Sequence, residues 1–429
     1  MTLISDFIIR AKTTINNEEI RSKVRQVTFF SGGNFLAQII MMIYAILVAR
    51  GLGPSQLGIY SGLYAILGVT ITFVNFGLDL WMLKEAHSYP SIQVLTGKII
   101  QIKLIFGSLW GFLCFMILPN VRSDIFSQGL VLLAVGDVIS DVIFNTNITV
   151  WNIQRKVRNI NILLLISRFG KLILLIILIY SNHISPITIV SSRFLVSLIV
   201  VFVSLVMIKP VIKVKFLKDI LNIVRSSAVY GYSEILAMIY ANIDVAILSF
   251  FSIAETGLYS PASGIIHALF VIPNSLFLFM LPRYSKTISV ENSVNRVKPR
   301  IFTKKILCLF LLIGLFLGMG LVLSSKFLVI SLLDYRYLYT GQLLMVLSPI
   351  LFFKSITFGF ALIIVVEGFQ QKRLIPQLVV SVINVIANLI LIPILGVMGV
   401  ALIYVFSEFI LFVLYGLIVI SLYKNKRSL

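Results

Sequence analysis

The sequence predicts an all-α membrane protein of about twelve transmembrane helices, arranged as two six-helix lobes around a central cavity. Three observations predict it. Of 429 residues, 59% are apolar and only 12% charged, against about 25% charged in an ordinary soluble domain. The apolar residues fall in runs of about 20, the length that crosses a bilayer as a helix. Basic residues gather in alternate connections, as the positive-inside rule requires of a chain threaded back and forth. That composition excludes a soluble enzyme, a disordered chain and a nucleic-acid-binding domain.

The elements follow in order. Residues 1–26 read as an N-terminal segment lying in the membrane interface, with Phe7, Ile8, Ala11 and Ile15 on its apolar side. Asp6 interrupts the opening MTLISDFIIR and no small-residue cleavage site follows, so no signal peptide is expected. The N-lobe, 27–208, holds spans at 27–49, 58–81, 95–118, 127–149, 160–180 and 186–208. A cytoplasmic linker at 209–227 leads to the C-lobe, 228–421. Its spans are 228–250, 257–281, 306–323, 341–365, 374–395 and 398–421, and a cytoplasmic tail covers 422–429. Connections are short, leaving no soluble domain for a separate active site. Cys114 and Cys308 both lie within apolar runs, so neither a disulfide framework nor metal-ligand spacing is expected.

Orientation follows from charge. The termini and the loops after even-numbered spans carry 27 Lys and Arg residues, whereas the loops after odd-numbered spans carry 4. Both termini are therefore expected in the cytoplasm, in a multi-pass protein of the cytoplasmic (inner) membrane. The split also accounts for the net charge of +20 without any nucleic-acid partner.

The chain repeats itself. Gly58-Ile59-Tyr60-Ser61 aligns with Gly257-Leu258-Tyr259-Ser260 at an offset of 199 residues, each segment following a long apolar span and opening the next. The fifth and eleventh spans are each preceded by a loop with Gln and Lys, Gln154-Arg155-Lys156 and Gln370-Gln371-Lys372. Two six-span halves in the same orientation imply a parallel pseudo-repeat about an axis normal to the membrane.

The stretch LVARGLGPSQLGIYSGLYAI (47–66), then NFGLDLWMLKEA (75–86), resembles the opening of the polysaccharide-export flippases. NIDVAILSFFSIAETGLYSPASGI (242–265), FMLPRYSK (279–286) and VINVIANLILIPILGVMGVALIYVFSE (382–408) continue the likeness in the family's order. The chain is therefore identified as similar to the polysaccharide transporter family of the multidrug/oligosaccharidyl-lipid/polysaccharide (MOP) superfamily, which includes the O-antigen (Wzx-type) flippases. The resemblance implies a MATE-like fold and a transporter rather than an enzyme. Its implied substrate is a lipid-linked oligosaccharide of the undecaprenyl-pyrophosphate type. Arg50 matches the basic position of the family's Ala-Arg-x-Leu-Gly motif.

Charges inside spans cost about 2.5–3.5 kcal/mol each near the helix centre, so most must face a cavity or one another. The bases are Lys103, Arg168, Lys171, Arg193 and Lys354; the acids are Asp137, Asp141, Glu234, Asp244 and Glu408. Arg168 and Lys171 are three apart, share a face, and sit about 12 and 16 Å into the fifth span. With Arg193 and Lys354 they suit a pyrophosphate or an acidic sugar, because guanidinium forks match phosphate oxygens. The alternative is pairing within a lobe, with Asp137 and Asp141 neutralising Arg168 and Lys171. Gln377, Ser381, Asn384 and Asn388 form a polar stripe on the eleventh span, readable as a sugar-contacting wall or as interhelical hydrogen-bonding.

Asp137, Asp141, Asp244 and Glu408 are the candidate ion-coupling groups, for H+ or Na+. Tyr240 and Tyr404 each lie one turn before an acid, Asp244 and Glu408, and offer the plainer reading of a held carboxylate. His267 is readable as a proton shuttle or as a packing residue. No phosphate loop, HExxH or GxSxG motif is present, so no cofactor or hydrolytic step is expected, and the driving force is an ion or substrate gradient. Membrane lipid and the glycan polymerase machinery are the expected contacts. Two alternatives stay open: a multidrug or cation antiporter of the same superfamily, and a membrane-embedded polysaccharide polymerase.

Overall fold

The computed structural model describes the backbone of residues 18–89, 91–211, 217–291 and 299–425. Side chains are described from Gly33 to Tyr423 apart from 34, 90, 212–219, 233, 237, 241 and 282–303. The interfacial helix expected at 1–26 and the tail at 422–429 therefore lie largely outside the described residues, as do many of the basic side chains of the longest loop.

Among the described residues the chain is helical throughout, with no strand. In order the helices are α1 (Glu18–Thr70), α2 (Thr72–Asn75), α3 (Leu78–Glu85), α4 (Ile92–Val121), α5 (Gln128–Ile153), α6 (Val157–Tyr180) and α7 (Pro186–Ile208). They continue as α8 (Leu217–Phe251), α9 (Ile253–Leu269), α10 (Val271–Glu291), α11 (Pro299–Leu332), α12 (Leu338–Leu347), α13 (Pro349–Val366) and α14 (Leu374–Asn425).

Nine described segments are long and apolar enough to cross a membrane, and a tenth is the pair Ile220–Tyr240 and Asn242–Phe251, bent by 53°. Two of the nine, Phe35–Ser88 and Gln370–Tyr423, run for 54 residues, more than twice the ~20 residues that one crossing needs. Each holds two of the expected spans, which restores the count of about twelve.

Glycine makes these double spans possible. Gly53 breaks α1 at φ 73°, ψ 171°, and Gly396 breaks α14 at φ 57°, ψ −144°; both lie where a Cβ is strained. Pro54 follows Gly53 and restarts the helix. At Gly396 the freed backbone is satisfied by Glu255, whose Oε2 accepts from the Val397 amide at 2.8 Å. A third break, at Phe76 and Gly77 (φ 39° and 70°), is capped by Glu234: Oε2 accepts from the Gly77 amide at 3.0 Å and Oε1 from Asn75 Nδ2 at 2.5 Å. A backbone group left unpaired in hydrocarbon costs several kcal/mol, which explains a carboxylate at each of these two breaks.

The chain divides into two compact units. The first comprises 1–48, 78–113 and 132–227; the second comprises 49–77, 114–131 and 228–429. Neither coincides with a run of six consecutive spans, since the second draws two segments from the first half of the sequence. Within the second unit the repeated segments meet. A Cβ on Gly257 would strike the Pro54 carbonyl and lie 2.9 Å from the Gly58 amide nitrogen, and a Cβ on Gly58 would strike the Ile253 carbonyl. The repeat thus brings two glycine-bearing helices into backbone contact.

Packing inside each unit is apolar. Ile364, Val380, Leu411 and Tyr415 are buried together in the second. Phe202, Phe316, Leu323 and Ile394 point outward and are strongly exposed, as side chains facing lipid would be.

Candidate functional site

Each unit holds a cluster of buried charge. In the first unit, Asp137 of α5 is fully buried and accepts from Arg193 Nε at 2.9 Å and from Ser197 Oγ at 2.7 Å, both on α7. Lys171 of α6, also fully buried, lies 3.3 Å from Asp141 and 3.8 Å from Asp137. Arg193 Nη2 reaches Asp141 at 3.9 Å. Asp141, four residues and so one turn beyond Asp137, is 38% exposed and opens the cluster to its surroundings. Arg168 joins the same field, acting on and acted on by Asp141, Arg193 and Asp137. Three bases thus face two carboxylates. The pairing within a lobe that the sequence left open is present for Lys171 and Arg193, and the cluster still carries one positive charge more than its acids neutralise.

In the second unit, Lys354 of α13 donates to Glu408 of α14 at 2.6 Å. Its ammonium lies 4.7 Å from the Tyr240 ring centroid and 5.4 Å from that of Phe270, a setting that adds cation–π attraction to the ion pair. One Glu408 oxygen, Oε2, makes no hydrogen bond. Asp244 accepts from Asn388 Nδ2 at 3.0 Å and lies 3.5 Å from the Tyr259 hydroxyl. Asn388 also donates to Asn384 Oδ1 at 3.0 Å, and Asn384 donates to Ser407 at 3.2 Å. The polar stripe of the eleventh span is thereby joined to Asp244 on one side and to the helix of Glu408 on the other.

The phenols differ from their expected roles. Tyr404 meets His267 Nε2 at 3.1 Å, and Tyr240 lies against Glu408 rather than Asp244. Tyr404 takes a tertiary partner in place of the carboxylate one turn along its helix, whereas the buried Tyr240 hydroxyl makes no hydrogen bond.

Two groups were missed in the sequence. Asp79, at the edge of a span, binds the buried Lys103 ammonium through both oxygens at 2.8 Å, and Thr146 completes the triad at 2.9 Å from Asp79. The signal was Lys103 itself, a span lysine with no acid assigned to it. Glu255, the partner of Val397, lies in the repeat motif and reads there as a loop residue.

Arg50, in the second unit, bonds to backbone carbonyls and not to a cluster carboxylate. Its Nε donates to the Leu332 carbonyl at 2.8 Å and its Nη2 to the Ser331 carbonyl, while its own carbonyl accepts from Arg336 Nη2 at 2.7 Å. Beside it, Tyr337 donates to the Ala49 carbonyl at 2.7 Å, and burial pushes that phenol above its ordinary range. The backbone amide of Tyr335, and secondarily Arg336, hold Asp334 below the usual carboxylate range. Among the described residues no group of three or more His, Cys, Asp or Glu side chains could hold a metal ion.

The chain's relatives agree with this architecture. No curated protein matches it. Among solved structures, the lipid II flippase MurJ in an inward closed conformation is similar at 16% identity and a TM-score of 0.71, covering 91% of this chain and 87% of MurJ. An inward-facing multidrug resistance MATE transporter of the MOP superfamily is similar at 13% identity and a TM-score of 0.66, over 91% and 96% of the two chains. A MOP superfamily transporter from Pyrococcus furiosus, described by the reverse polarity of its binding pocket, gives 12% and 0.57, over 91% and 94%. These likenesses establish the fold. The polysaccharide biosynthesis protein family matches residues 24–288, more than half of the sequence, so the chain belongs to that family, in the MOP superfamily of flippases and transporters.

Proposed function

We propose that this transporter flips a lipid-linked oligosaccharide of the undecaprenyl-pyrophosphate type from the cytoplasmic to the outer leaflet, for O-antigen or related polysaccharide synthesis. In this reading both termini lie in the cytoplasm, and the lobes 27–208 and 228–421 alternate access to the two leaflets. The single observation that carries the substrate class is the surplus positive charge of the first cluster, where Arg168, Lys171 and Arg193 face only Asp137 and Asp141. A half-buried cation such as Arg168 without its own carboxylate is costly, and a phosphate oxygen is the ligand that best meets a guanidinium.

Within the second unit, Lys354 is assigned to substrate binding, with Asn384 and Asn388 as sugar-facing amides. Arg50 acts at the far end of the first span. The coupling cation, H+ or Na+, is assigned to Asp244 and Glu408 in the second unit; Asp137 and Asp141, expected to share that role, are engaged by Lys171 and Arg193 in the first. Handover to a glycan polymerase completes the pathway on the outer side.

Reconstitution tests the reading. Proteoliposomes carrying the chain are expected to expose a labelled lipid-linked oligosaccharide to an outside glycan-modifying probe faster than empty vesicles. Equal exposure with and without protein, under both H+ and Na+ gradients, would count against it. Cells expressing the chain are expected to show unchanged susceptibility to cationic drugs; raised resistance would favour the antiporter instead.

A further inference from the structure

A polar cavity lies between the α3–α4 segment and the start of α8. It encloses about 210 Å³ in the first unit and is lined by Trp81, Tyr89, Lys98, Asn222, Ile223 and Ser226. One wall comes from α3, the turn after it and the start of α4; the other comes from the first turns of α8. The wall is built rather than incidental. Trp81 is 5% exposed and packs edge-on against Tyr89, with ring centroids 6.0 Å apart at 78°. Ile223, 3% exposed, seats α8 against the unit. The Val211 amide donates to the Gln93 carbonyl at 3.1 Å, fixing the chain ahead of α8 to the start of α4.

The lining chemistry selects an anion. An indole N–H, a phenol, an ammonium, a carboxamide and a hydroxyl each supply a hydrogen-bond donor, and one of them is cationic. The volume falls below the 300–1,000 Å³ typical of drug-sized sites, so it suits a headgroup and not an oligosaccharide. In the proposed orientation the pocket lies on the cytoplasmic side, where Trp and Tyr mark the lipid headgroup level and anionic lipids are concentrated. We propose that this pocket binds the phosphate of an anionic phospholipid headgroup from the cytoplasmic leaflet. The site joins Lys98 to Asn222 and Ser226 on α8, the helix that carries the chain out of the first unit after Ser227. A bound headgroup therefore clamps the start of α8 to α4.

The test is native mass spectrometry of the purified full chain in neutral detergent, titrated with phosphatidylglycerol, phosphatidylcholine or inorganic phosphate. Phosphatidylglycerol is expected to be retained in preference to phosphatidylcholine. Lys98→Gln is expected to lower that retention about tenfold, the loss of one charge-assisted hydrogen bond. Lys326→Gln, in α11 of the second unit, is expected to leave it unchanged. Should Lys98→Gln fail to fold, the exposed pair Asn222→Ala and Ser226→Ala carries the test. Equal retention of the two lipids, or unchanged retention in the pocket variants, overturns the proposal. Displacement of phosphatidylglycerol by millimolar inorganic phosphate overturns the lipid assignment and leaves a soluble-anion site. None of these readouts depends on flipping, so the result is independent of the transport assay.

Discussion

Each buried ion pair in this chain sets a desolvation cost against its mutual attraction, and the balance decides what a substitution does. Removing one partner of such a pair leaves the other charge buried and costs about 3–5 kcal/mol. Lys354→Met or Glu408→Gln alone is therefore expected to lower the unfolding midpoint in detergent markedly, and the double variant to recover most of the loss while remaining poor in transport. A double variant as unstable as the singles would mean the pair is not the unit of stability. Arg168 behaves differently, because the acids near it are already engaged by Lys171 and Arg193. Arg168→Gln is expected to keep the midpoint and lose transport. Asp334 tests pH: its folded pKa is depressed, so its contribution is present above the ordinary carboxylate value, about 3.9, and is lost as pH falls through the folded value. The midpoint difference between the wild type and Asp334→Asn should therefore shrink below about pH 3.9, and a difference that persists there would refute the role. The sequence marked Arg168, Lys171, Arg193, Lys354 and their candidate acids as costly in hydrocarbon. It did not show which acid each base meets, because partner choice is set by the side-by-side packing of α5, α6 and α7, which no spacing within one helix encodes.

Among the elements, the kinked double spans were half legible. Their apolar lengths declared two crossings each, with the first break expected between the spans 27–49 and 58–81, where Gly53 and Pro54 lie. Gly396 falls in the gap between the expected spans 374–395 and 398–421, but its cap did not declare itself, because Glu255 lies more than a hundred residues away. A Cβ at Gly396 would sit 2.9 Å from that carboxylate, at a φ of 57°, and non-glycine residues pay about 1–3 kcal/mol in such conformations. Gly396→Ala is expected to lower the unfolding midpoint accordingly, and Glu255→Gln, which keeps an acceptor, to cost less than Glu255→Ala. The meeting of α1 and α9 at Gly58 and Gly257 is tighter still, since the obstacle to a side chain there is backbone. Gly257→Leu is expected to force these helices apart. A cysteine at Ser61, in a background without Cys114 and Cys308, should then react faster with a membrane-impermeant maleimide. An unchanged rate would show that the contact does not close that end of the helices.

At the scale of the whole molecule, the repeat carries opposite charges at matching places. The fourth and sixth spans hold Asp137 and Arg193, 56 residues apart, and the tenth and twelfth hold Lys354 and Glu408, 54 apart. The same helix pair in each half is bridged by a buried ion pair with its polarity reversed. With Arg168 and Lys171 the first cluster holds more bases than acids, and with Asp244 the second holds more acids than bases. The sequence repeat was visible through Gly58 and Gly257, but the inversion was not, because it emerges only when the pairs are known. The division of the chain adds a further constraint. Segments 49–77 and 114–131 belong to the second unit although they precede the linker, so neither half of the sequence contains a complete unit. Cutting the chain between Val211 and Leu217 should therefore give two pieces that are unstable alone, each losing contacts such as Arg50 to Leu332 and Gly58 to Ile253. Co-expressed, the pieces should copurify and restore transport, because the cut leaves every ion pair of both clusters within one piece. Stable, monodisperse halves purified separately would contradict this interdependence and make each half a folding unit in its own right.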